Sequence, residues 1–260
     1  MYLMEHDGEG ARMEKRDVEE AAKHLELAGI RAGDHVLDAG CASGLLTRMI
    51  ATRASPGHVV GIDANAERIQ MAIDRAREEG VPNVRFQQAD ILELPFQVGA
   101  FDVVFCRYTF EYLKDPEAAL RELKRVTRVG GRVVVADLDG NGLYHYPIPE
   151  AIEQTLQRLF GALSRVGFDP FMGRKLYHLF HRVGFRRIQV EAMPHHLIAG
   201  PADEDQVENW ETKLRTIRPY ALKAFPSESA YDQFMSTCLA MLRAEDSLTY
   251  SVTFIVSGVC

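Results

Sequence analysis

Apolar residues follow two alternating periods along the first half of the chain. Strand-like runs read HVLDA, HVVGID, NVRFQQ, FDVVFCR and RVVVAD, and helical patterns begin at about Leu45, Ala66 and Pro116. Short apolar runs of this kind are typical of buried strands, whereas spacing at three and four residues is typical of amphipathic helices. The alternation predicts a parallel sheet with helices on both of its faces.

The alternation of predicted strands and helices becomes less regular in the second half of the chain. After Asp137 the stretch DGNGLYHYPIP breaks the pattern and predicts a covering loop, followed by a helix that ends near Ser164. One more helix-strand step is predicted over about 173–183 and FRRIQVEAM, and SLTYSVTFIVSG alternates like a final strand. Residues 12–28 predict a short N-terminal helix, and residues 199–247 are predicted to be mostly helical.

The composition of the chain disfavours some classes of binding partner. The 260 residues are 47% hydrophobic and 26% charged, with a formal net charge of -7, which disfavours nucleic acid and anionic lipid as partners. The first twenty residues lack the apolar segment of a secretion signal, and no apolar run approaches the roughly 20 residues that span a bilayer. The four cysteines form no C-x-x-C pair, so a cytoplasmic protein without a disulfide framework or a zinc site is expected.

The segment VLDAGCASG, residues 36–44, is the first candidate for chemistry. An apolar strand leads through Asp38 into a turn in which Gly40 and Gly44 permit close approach of a ligand to the backbone. The carboxylate of Asp38 would meet a cationic amino group of that ligand or order water around it. The alternative is a plain strand-to-helix turn that uses glycine only for its geometry.

Two further acidic residues end the next strand-like runs. Asp63 ends VVGID, where a carboxylate can accept hydrogen bonds from both ribose hydroxyls of a nucleoside, although a helix N-cap is the alternative. Asp90 follows the third run and could accept a hydrogen bond from an adenine amino group while Ile91 packs on the ring.

Five segments together resemble the class I S-adenosylmethionine-dependent methyltransferases, most closely the ubiquinone-biosynthesis-type branch. They are VLDAGCASG, GID, QADILELPF, FDVVFCRYTFEYLKDP and LKRVTRVGGRVVVAD, and they cover about residues 33–138. The resemblance implies S-adenosylmethionine as the cofactor and S-adenosylhomocysteine as the product. A dinucleotide-binding dehydrogenase is a weaker alternative, because Gly40, Ala42 and Gly44 do not form G-x-G-x-x-G.

The resemblance also implies a set of cofactor-binding positions. Asp38, Ala39 and Gly40 would surround the methionine end, and Asp63 would bind the ribose. The adenine and the wall of the site would be formed by Ala64, Asp90, Ile91, Cys106 and Arg107. The family usually has glycine where this chain has Ala42, and an added methyl group there could weaken cofactor binding.

The acceptor side is predicted from residues that follow the fourth and fifth strands. Transfer from a sulfonium chiefly needs alignment, and a general base would help with some acceptors. The candidate catalytic residues are Glu111, Asp137 and His145, and the candidate substrate contacts are Tyr108, Tyr144 and Tyr146. Alternatives are a solvated or capping role for Glu111, a backbone partner for Asp137 and loop packing for residues 144–146. His178, His181, His195 and His196 are interpreted as ordinary residues, and no metal site is predicted.

These observations predict a doubly wound, Rossmann-like α/β fold. Its seven-stranded sheet would be mostly parallel with an antiparallel last strand, in a single domain with core segments 31–138, 173–198 and 248–260 and helical caps 1–30, 139–172 and 199–247. Cap residues such as Tyr2, Phe168 and Trp210 favour a small, fairly apolar acceptor, either a secondary metabolite or a quinone-like molecule. The partner would be this molecule alone, with no nucleic acid or membrane, and the protein would be a monomer or a homodimer.

Two other functions stay open. One is a relative that binds the cofactor but catalyses a non-methylating cyclisation or rearrangement, and the other is a scaffold that has lost the cofactor.

Overall fold

An open, twisted β-sheet forms the centre of the described part of the chain. The computed structural model describes residues 18–260, apart from the side chains of residue 19 and residues 141–143. Tyr2 and the part of the predicted N-terminal helix before Val18 lie outside the described residues. The sheet has seven strands in the order β3-β2-β1-β4-β5-β7-β6. They are β1 Val36–Ala39, β2 Val59–Asp63, β3 Val84–Gln88, β4 Phe101–Arg107, β5 Thr127–Tyr146, β6 Arg186–Ala199 and β7 Leu248–Val259.

Eight α-helices connect or cover these strands in residues 18–260. They are α1 Val18–Ala28, α2 Leu45–Ala54, α3 Ala66–Glu78, α4 Pro116–Val126, α5 Glu150–Arg165, α6 Leu176–Val183, α7 Glu204–Ala221 and α8 Glu228–Leu242. Short 3-10 turns lie at Phe110–Tyr112, Gly173–Lys175 and Leu222–Ala224. The predicted helices after the first, second and fourth strands are confirmed. Pro116 occupies the first turn of α4, where Asp115 caps the helix by accepting from the Ala118 backbone N–H at 2.9 Å.

Strand directions agree with the prediction. The pairs β1–β2, β1–β4, β2–β3 and β4–β5 are parallel, and β7 is antiparallel to both β5 and β6. The predicted mostly parallel sheet with an antiparallel last strand is therefore confirmed. The carboxyl ends of β1, β2 and β4 meet along one edge, where a ligand site is expected in an open α/β sheet.

Strand β5 is much longer than the sequence pattern predicts. It was expected to end at Asp137, but it continues to Tyr146, and Tyr144, His145 and Tyr146 pair with residues 250, 249 and 248 of β7. The register shifts between Asp139 and Tyr144, which accommodates the glycines of this stretch as an irregularity within the ladder. The partner strand, which is distant in sequence, supplies the backbone hydrogen bonds that local turn signals could not predict.

Three apolar clusters fill the molecule. One lies on the sheet face covered by α1 and α2 and includes Leu25, Ile50 and Phe105, while the opposite face packs against α4 and α6. The third cluster joins α5, α7 and α8 through Leu163, Tyr231 and other side chains, separately from the sheet. The division into core segments and caps stays a prediction. No helix in residues 18–260 combines the length and the apolar content that crossing a bilayer requires.

Candidate cofactor site

A cavity of about 490 Å³ opens at the carboxyl ends of the parallel strands. Its wall combines the turn after β1, the end of β2, the segment after β3 and the end of β4. The lining side chains mix carboxylates with apolar groups, as expected for a site that orients a small molecule by a few polar contacts. They include Asp38, Ala42, Asp63, Asp90, Ile91, Arg107, Tyr108, Thr109 and Tyr112.

The turn after β1 is held against β2 by its backbone. The N–H groups of Gly40 and Cys41 both donate to the Ile62 carbonyl at 2.8 Å, and the Ala42 N–H donates to Asp63 Oδ2 at 3.1 Å. Gly40 has a φ of 86°, and a Cβ there would lie 2.2 Å from Thr109 Oγ1. Glycine is therefore required at position 40 by both conformation and space.

Asp38 lies beneath this turn with its side chain almost fully buried. The Thr47 hydroxyl donates to its Oδ2 at 2.6 Å. Burial raises the pKa of Asp38 to about 6, although the Thr47 hydrogen bond and the positive charge of Arg107 oppose that shift. A cation brought close to Asp38 would favour the ionised form.

Asp63 and Asp90 are fixed by backbone hydrogen bonds. Asp63 accepts from the Ala42 N–H and, through Oδ1, from the Asn65 N–H at 2.9 Å. The N-cap of α3 is Asn65, so the alternative of a capping role for Asp63 is wrong. Asp90 Oδ1 accepts from the Leu92 N–H at 2.9 Å. Both carboxylates retain unused lone pairs beside the cavity, which a ligand hydroxyl or amino group could use.

Seven of the ten predicted cofactor positions line the cavity: Asp38, Gly40, Asp63, Ala64, Asp90, Ile91 and Arg107. The side chains of Ala39 and Cys106 are fully buried in the core instead, and burial raises the pKa of the Cys106 thiol. Gly44 begins α2, and a Cβ there would lie 2.7 Å from the Phe86 ring, so this glycine serves packing between helix and sheet.

Sequence reasoning missed Asn65, Arg68, Thr109, Tyr112 and Leu113 as lining residues. A signal existed for Asn65, because asparagine directly before a helical pattern is typical of an N-cap.

Glu111 and Asp137 form a buried acidic pair next to the cavity. Asp137 accepts from the Glu111 backbone N–H at 3.2 Å and from the Leu138 N–H at 2.8 Å, which agrees with the alternative of a backbone partner. The side chain of Glu111 is 2% exposed, and its Oε2 has no hydrogen-bond partner among the described residues. The solvated or capping alternative for Glu111 is therefore wrong. Burial and the neighbouring Asp137 hold the pKa of Glu111 well above its usual range, which favours the protonated form of this carboxyl.

A family model described as a methyltransferase domain matches residues 30–184. The chain belongs to this methyltransferase family. The predicted resemblance to class I S-adenosylmethionine-dependent methyltransferases is confirmed, and with it the class of cofactor.

Several known proteins are similar to this methyltransferase. The demethylmenaquinone methyltransferase of Thermus thermophilus is 35% identical over 173 residues, which are 65% of this chain and 72% of that protein. The ubiquinone/menaquinone biosynthesis C-methyltransferase UbiE of Ectopseudomonas mendocina is 39% identical over 120 residues, 45% of this chain and 47% of that protein. The chain spans about half the length of the first curated relatives that it matches.

Solved structures share the fold. The structure of Haemonchus contortus phosphoethanolamine N-methyltransferase 2 in complex with S-adenosyl-L-methionine has a TM-score of 0.61 and 20% identity, and the match covers 93% of this chain and 52% of that one.

The remaining predicted acceptor residues of the methyltransferase separate into two places. Tyr108 lines the main cavity. Tyr144, His145 and Tyr146 lie on the extension of β5, away from it. The Tyr144 hydroxyl donates to Asp139 Oδ1 at 2.6 Å, and Tyr146 is 76% exposed. These three residues therefore do not line the cavity that contains Tyr108.

His145 instead lines a second cavity of the methyltransferase, of about 110 Å³, between the cap helices. Its Nδ1 lies 2.6 Å from Thr249 Oγ1, and the cavity wall is otherwise mostly apolar, with Phe168, Trp210 and Phe234. Within residues 18–260 no group of three or more His, Cys, Asp or Glu side chains is arranged to hold a metal ion.

Proposed function

We propose that this chain transfers the methyl group of S-adenosylmethionine to a small, fairly apolar molecule. The observation that carries the proposal is the convergence of Asp38, Asp63 and Asp90, from the ends of three neighbouring parallel strands, on one cavity. Family membership supports the same activity.

The donor set fits the proposed cofactor. Asp38, buried beneath the turn, suits a cationic amino group, Asp63 suits the ribose hydroxyls, and Asp90 with Ile91 suits the adenine. When bound, the cofactor supplies a methyl group on a sulfonium, which is an activated leaving group. The protein then has to hold donor and acceptor in line and exclude water.

The acceptor would lie between the cofactor cavity and the cap. The apolar wall of the cap cavity, with Trp210 and Phe168, supports a fairly apolar acceptor, and the quinone-related names of two relatives support a quinone-like one. The formal charge of -7 supports the proposal that nucleic acid is not a partner. A monomer or a homodimer in the cytoplasm stays a prediction.

Among the proposed catalytic residues, Glu111 would donate a hydrogen bond to the acceptor, because burial and the neighbouring Asp137 favour its protonated form. Asp137 would position the segment that carries Glu111 through its backbone hydrogen bonds. His145, Tyr144 and Tyr146 would contact at most the distal part of an acceptor that reaches the cap cavity.

The test is release of S-adenosylhomocysteine, measured by mass spectrometry after incubation with S-adenosylmethionine and a panel of phenols and hydroquinones. We expect acceptor-dependent release that falls at least about tenfold in Asp63→Ala, since a lost charged hydrogen bond is worth more than about 1.4 kcal/mol. Conversion of an acceptor without any S-adenosylhomocysteine would instead support the non-methylating cyclisation or rearrangement.

A further inference from the structure

Two adjacent histidines on β6 lie side by side, although neighbouring residues of a strand normally point to opposite faces. The ring centroids of His195 and His196 are 3.7 Å apart. The pairing register with β7 shifts between His195 and Ile198, and His196 has a φ of 49°. Bulges that redirect side chains, and non-glycine residues in the left-handed region, cluster at functional sites. The backbone here is arranged to present both imidazoles to one space.

Glu20 of α1 fixes the proton position on His195. The distance from Glu20 Oε1 to His195 Nδ1 is 2.9 Å. Burial opposes ionisation of Glu20, but the hydrogen bond and charge of His195, together with Tyr108 and Arg107, lower the pKa of Glu20 to about 2. Since an ionised carboxylate can only accept, Nδ1 carries the hydrogen, and Nε2 is the nitrogen left to exchange a proton with a ligand.

His195 faces a polar pocket of about 220 Å³ between α1, β6 and α7. Its wall includes Glu20, His195, His196, Gln206, Asn209 and Trp210. A tyrosine connects this pocket with the cofactor cavity. The ring of Tyr108 lines that cavity, while its hydroxyl donates to Glu20 Oε1 at 2.6 Å and lies 3.0 Å from Thr253 Oγ1. Tyr108 of the cofactor cavity therefore contacts Glu20 of this pocket.

The Trp210 ring lines the pocket, and a cation lies behind it beside His196. Lys213 Nζ lies 3.2 Å from His196 Nε2 and 4.6 Å from the centroid of the Trp210 ring. Lys213 lines the neighbouring cap cavity, while the indole of Trp210 offers this pocket a surface for a planar ligand. Base and aromatic wall together match an aromatic hydroxyl better than an aliphatic alcohol, because a phenol is the stronger acid and gives up its proton to an imidazole more readily.

We propose that this pocket binds the reacting end of the methyl acceptor, a phenol or a similarly acidic enol, and that His195, positioned by Glu20, takes the hydroxyl proton. This inference rests on the proposed function. The O–H bond breaks, the N–H bond forms at His195 Nε2, and the electron pair stays on the oxygen, which becomes the nucleophile. Glu20 stabilises the imidazolium.

The test uses 4-nitrophenol as the probe, because its phenolate absorbs visible light and its neutral form does not. The full chain is first saturated with S-adenosylhomocysteine, with calorimetry showing saturation for each variant. We expect saturable binding with an increased phenolate fraction at a pH where most free probe is neutral. His195→Gln should bind the probe at least about tenfold more weakly and lose the phenolate signal.

The matched control is His181→Gln, which changes an exposed histidine of α6 and should behave like the unmodified protein. Glu20→Gln tests the positioning role by nitrogen-15 NMR of the imidazoles. The His195 signals should report hydrogen on Nδ1 in the unmodified protein and lose that preference in the variant.

If S-adenosylhomocysteine binds neither the unmodified protein nor any variant, both the proposed function and this inference are wrong. Normal cofactor binding with no probe binding, or with an unchanged phenolate signal in His195→Gln, would overturn this inference alone.

Discussion

Asp38 lies at the end of β1 with its carboxylate removed from water, and its protonation state depends on what occupies the cavity. Its side chain is 2% exposed, and the Thr47 hydroxyl donates a hydrogen bond to it. A carboxylate in this setting is stabilised by an incoming cation and destabilised without one. We therefore expect Asp38 to link pH, stability and ligand binding.

The first prediction concerns the pH dependence of stability. The pKa of Asp38 is about 6 in the folded protein against an ordinary value of 3.8. Below the ordinary value both states are protonated. As pH rises from 4 to about 6, the unfolded chain releases the proton while the folded chain keeps it, so the free energy of unfolding falls by up to about 3 kcal/mol. Asp38→Asn should remove this fall.

Urea unfolding of the unliganded protein at several pH values between 4 and 7 measures the effect as the difference between the unmodified protein and Asp38→Asn. The comparison with Asp38→Asn is needed because burial lowers the pKa of His24 to about 4. Over the same pH range His24 makes the free energy of unfolding rise with pH, which opposes the effect of Asp38. Asp74→Asn, at a half-exposed position of α3, is the control. Parallel pH profiles for the unmodified protein and Asp38→Asn would contradict the prediction.

The second prediction concerns the turn after β1. Ala42 has a φ of 46° and Gly44 a φ of 78°. Ala42→Gly relieves left-handed strain of about 1 kcal/mol but adds flexibility to the unfolded chain, so stability should change by less than about 1 kcal/mol. Gly44→Ala adds strain and places a Cβ 2.7 Å from the Phe86 ring, so it should lose about 2 kcal/mol or more. Equal losses in urea unfolding would show that this description of the turn is wrong.

The helices and strands show where local pattern was sufficient and where it was not. Strands β1, β2 and β4 were predicted because their apolar runs are short and each ends at an acidic or polar residue. Strand β5 was predicted too short because Gly140 and the residues that follow it resemble a loop, while its ladder partner is about a hundred residues away in β7. The same distance explains why the sequence groups His145 with Glu111 as a catalytic candidate, whereas in the structure His145 lines the cap cavity.

The candidate sites show the same contrast between features that a local pattern predicts and contacts between residues distant in sequence. Asp38 and Asp63 lie at the carboxyl ends of β1 and β2, and Asp90 comes two residues after β3, so strand order alone brings them to one edge. The pairing of Glu20 with His195 spans 175 positions and depends on a bulge in β6, and no local pattern in the sequence predicts such a contact.

The third prediction concerns the cap. Tyr231 of α8 is fully buried, and its hydroxyl donates to the Leu214 carbonyl of α7. Tyr231→Phe should lower the free energy of unfolding by about 1 kcal/mol, because one buried hydrogen bond is lost with little change in packing. Urea unfolding checks the value, and Tyr177→Phe, at a 52% exposed position, is the control. A loss no larger than in that control would mean that this contact does not hold α7 to α8.

Across the whole molecule, the sheet edge, the cap helices and α1 bound a set of neighbouring spaces with different chemistry. The cavity at the strand ends is rich in carboxylates, the cap cavity is mostly apolar, and the pocket beside β6 contains two histidines. A molecule with a nucleoside, an amino acid group and a sulfonium suits the first, and an acceptor with an apolar body and a polar reacting end suits the other two. The proposed function depends on the assignment of the cofactor to the cavity at the strand ends.

Calorimetric titration of the purified chain with S-adenosylmethionine and S-adenosylhomocysteine tests that assignment most directly, with Asp63→Ala as the matched variant. We predict saturable binding of both molecules and at least about tenfold weaker binding to Asp63→Ala, since its two backbone hydrogen bonds and its proposed ribose contacts are lost together. Absence of binding to the unmodified chain, or equal affinity in the variant, would contradict the account.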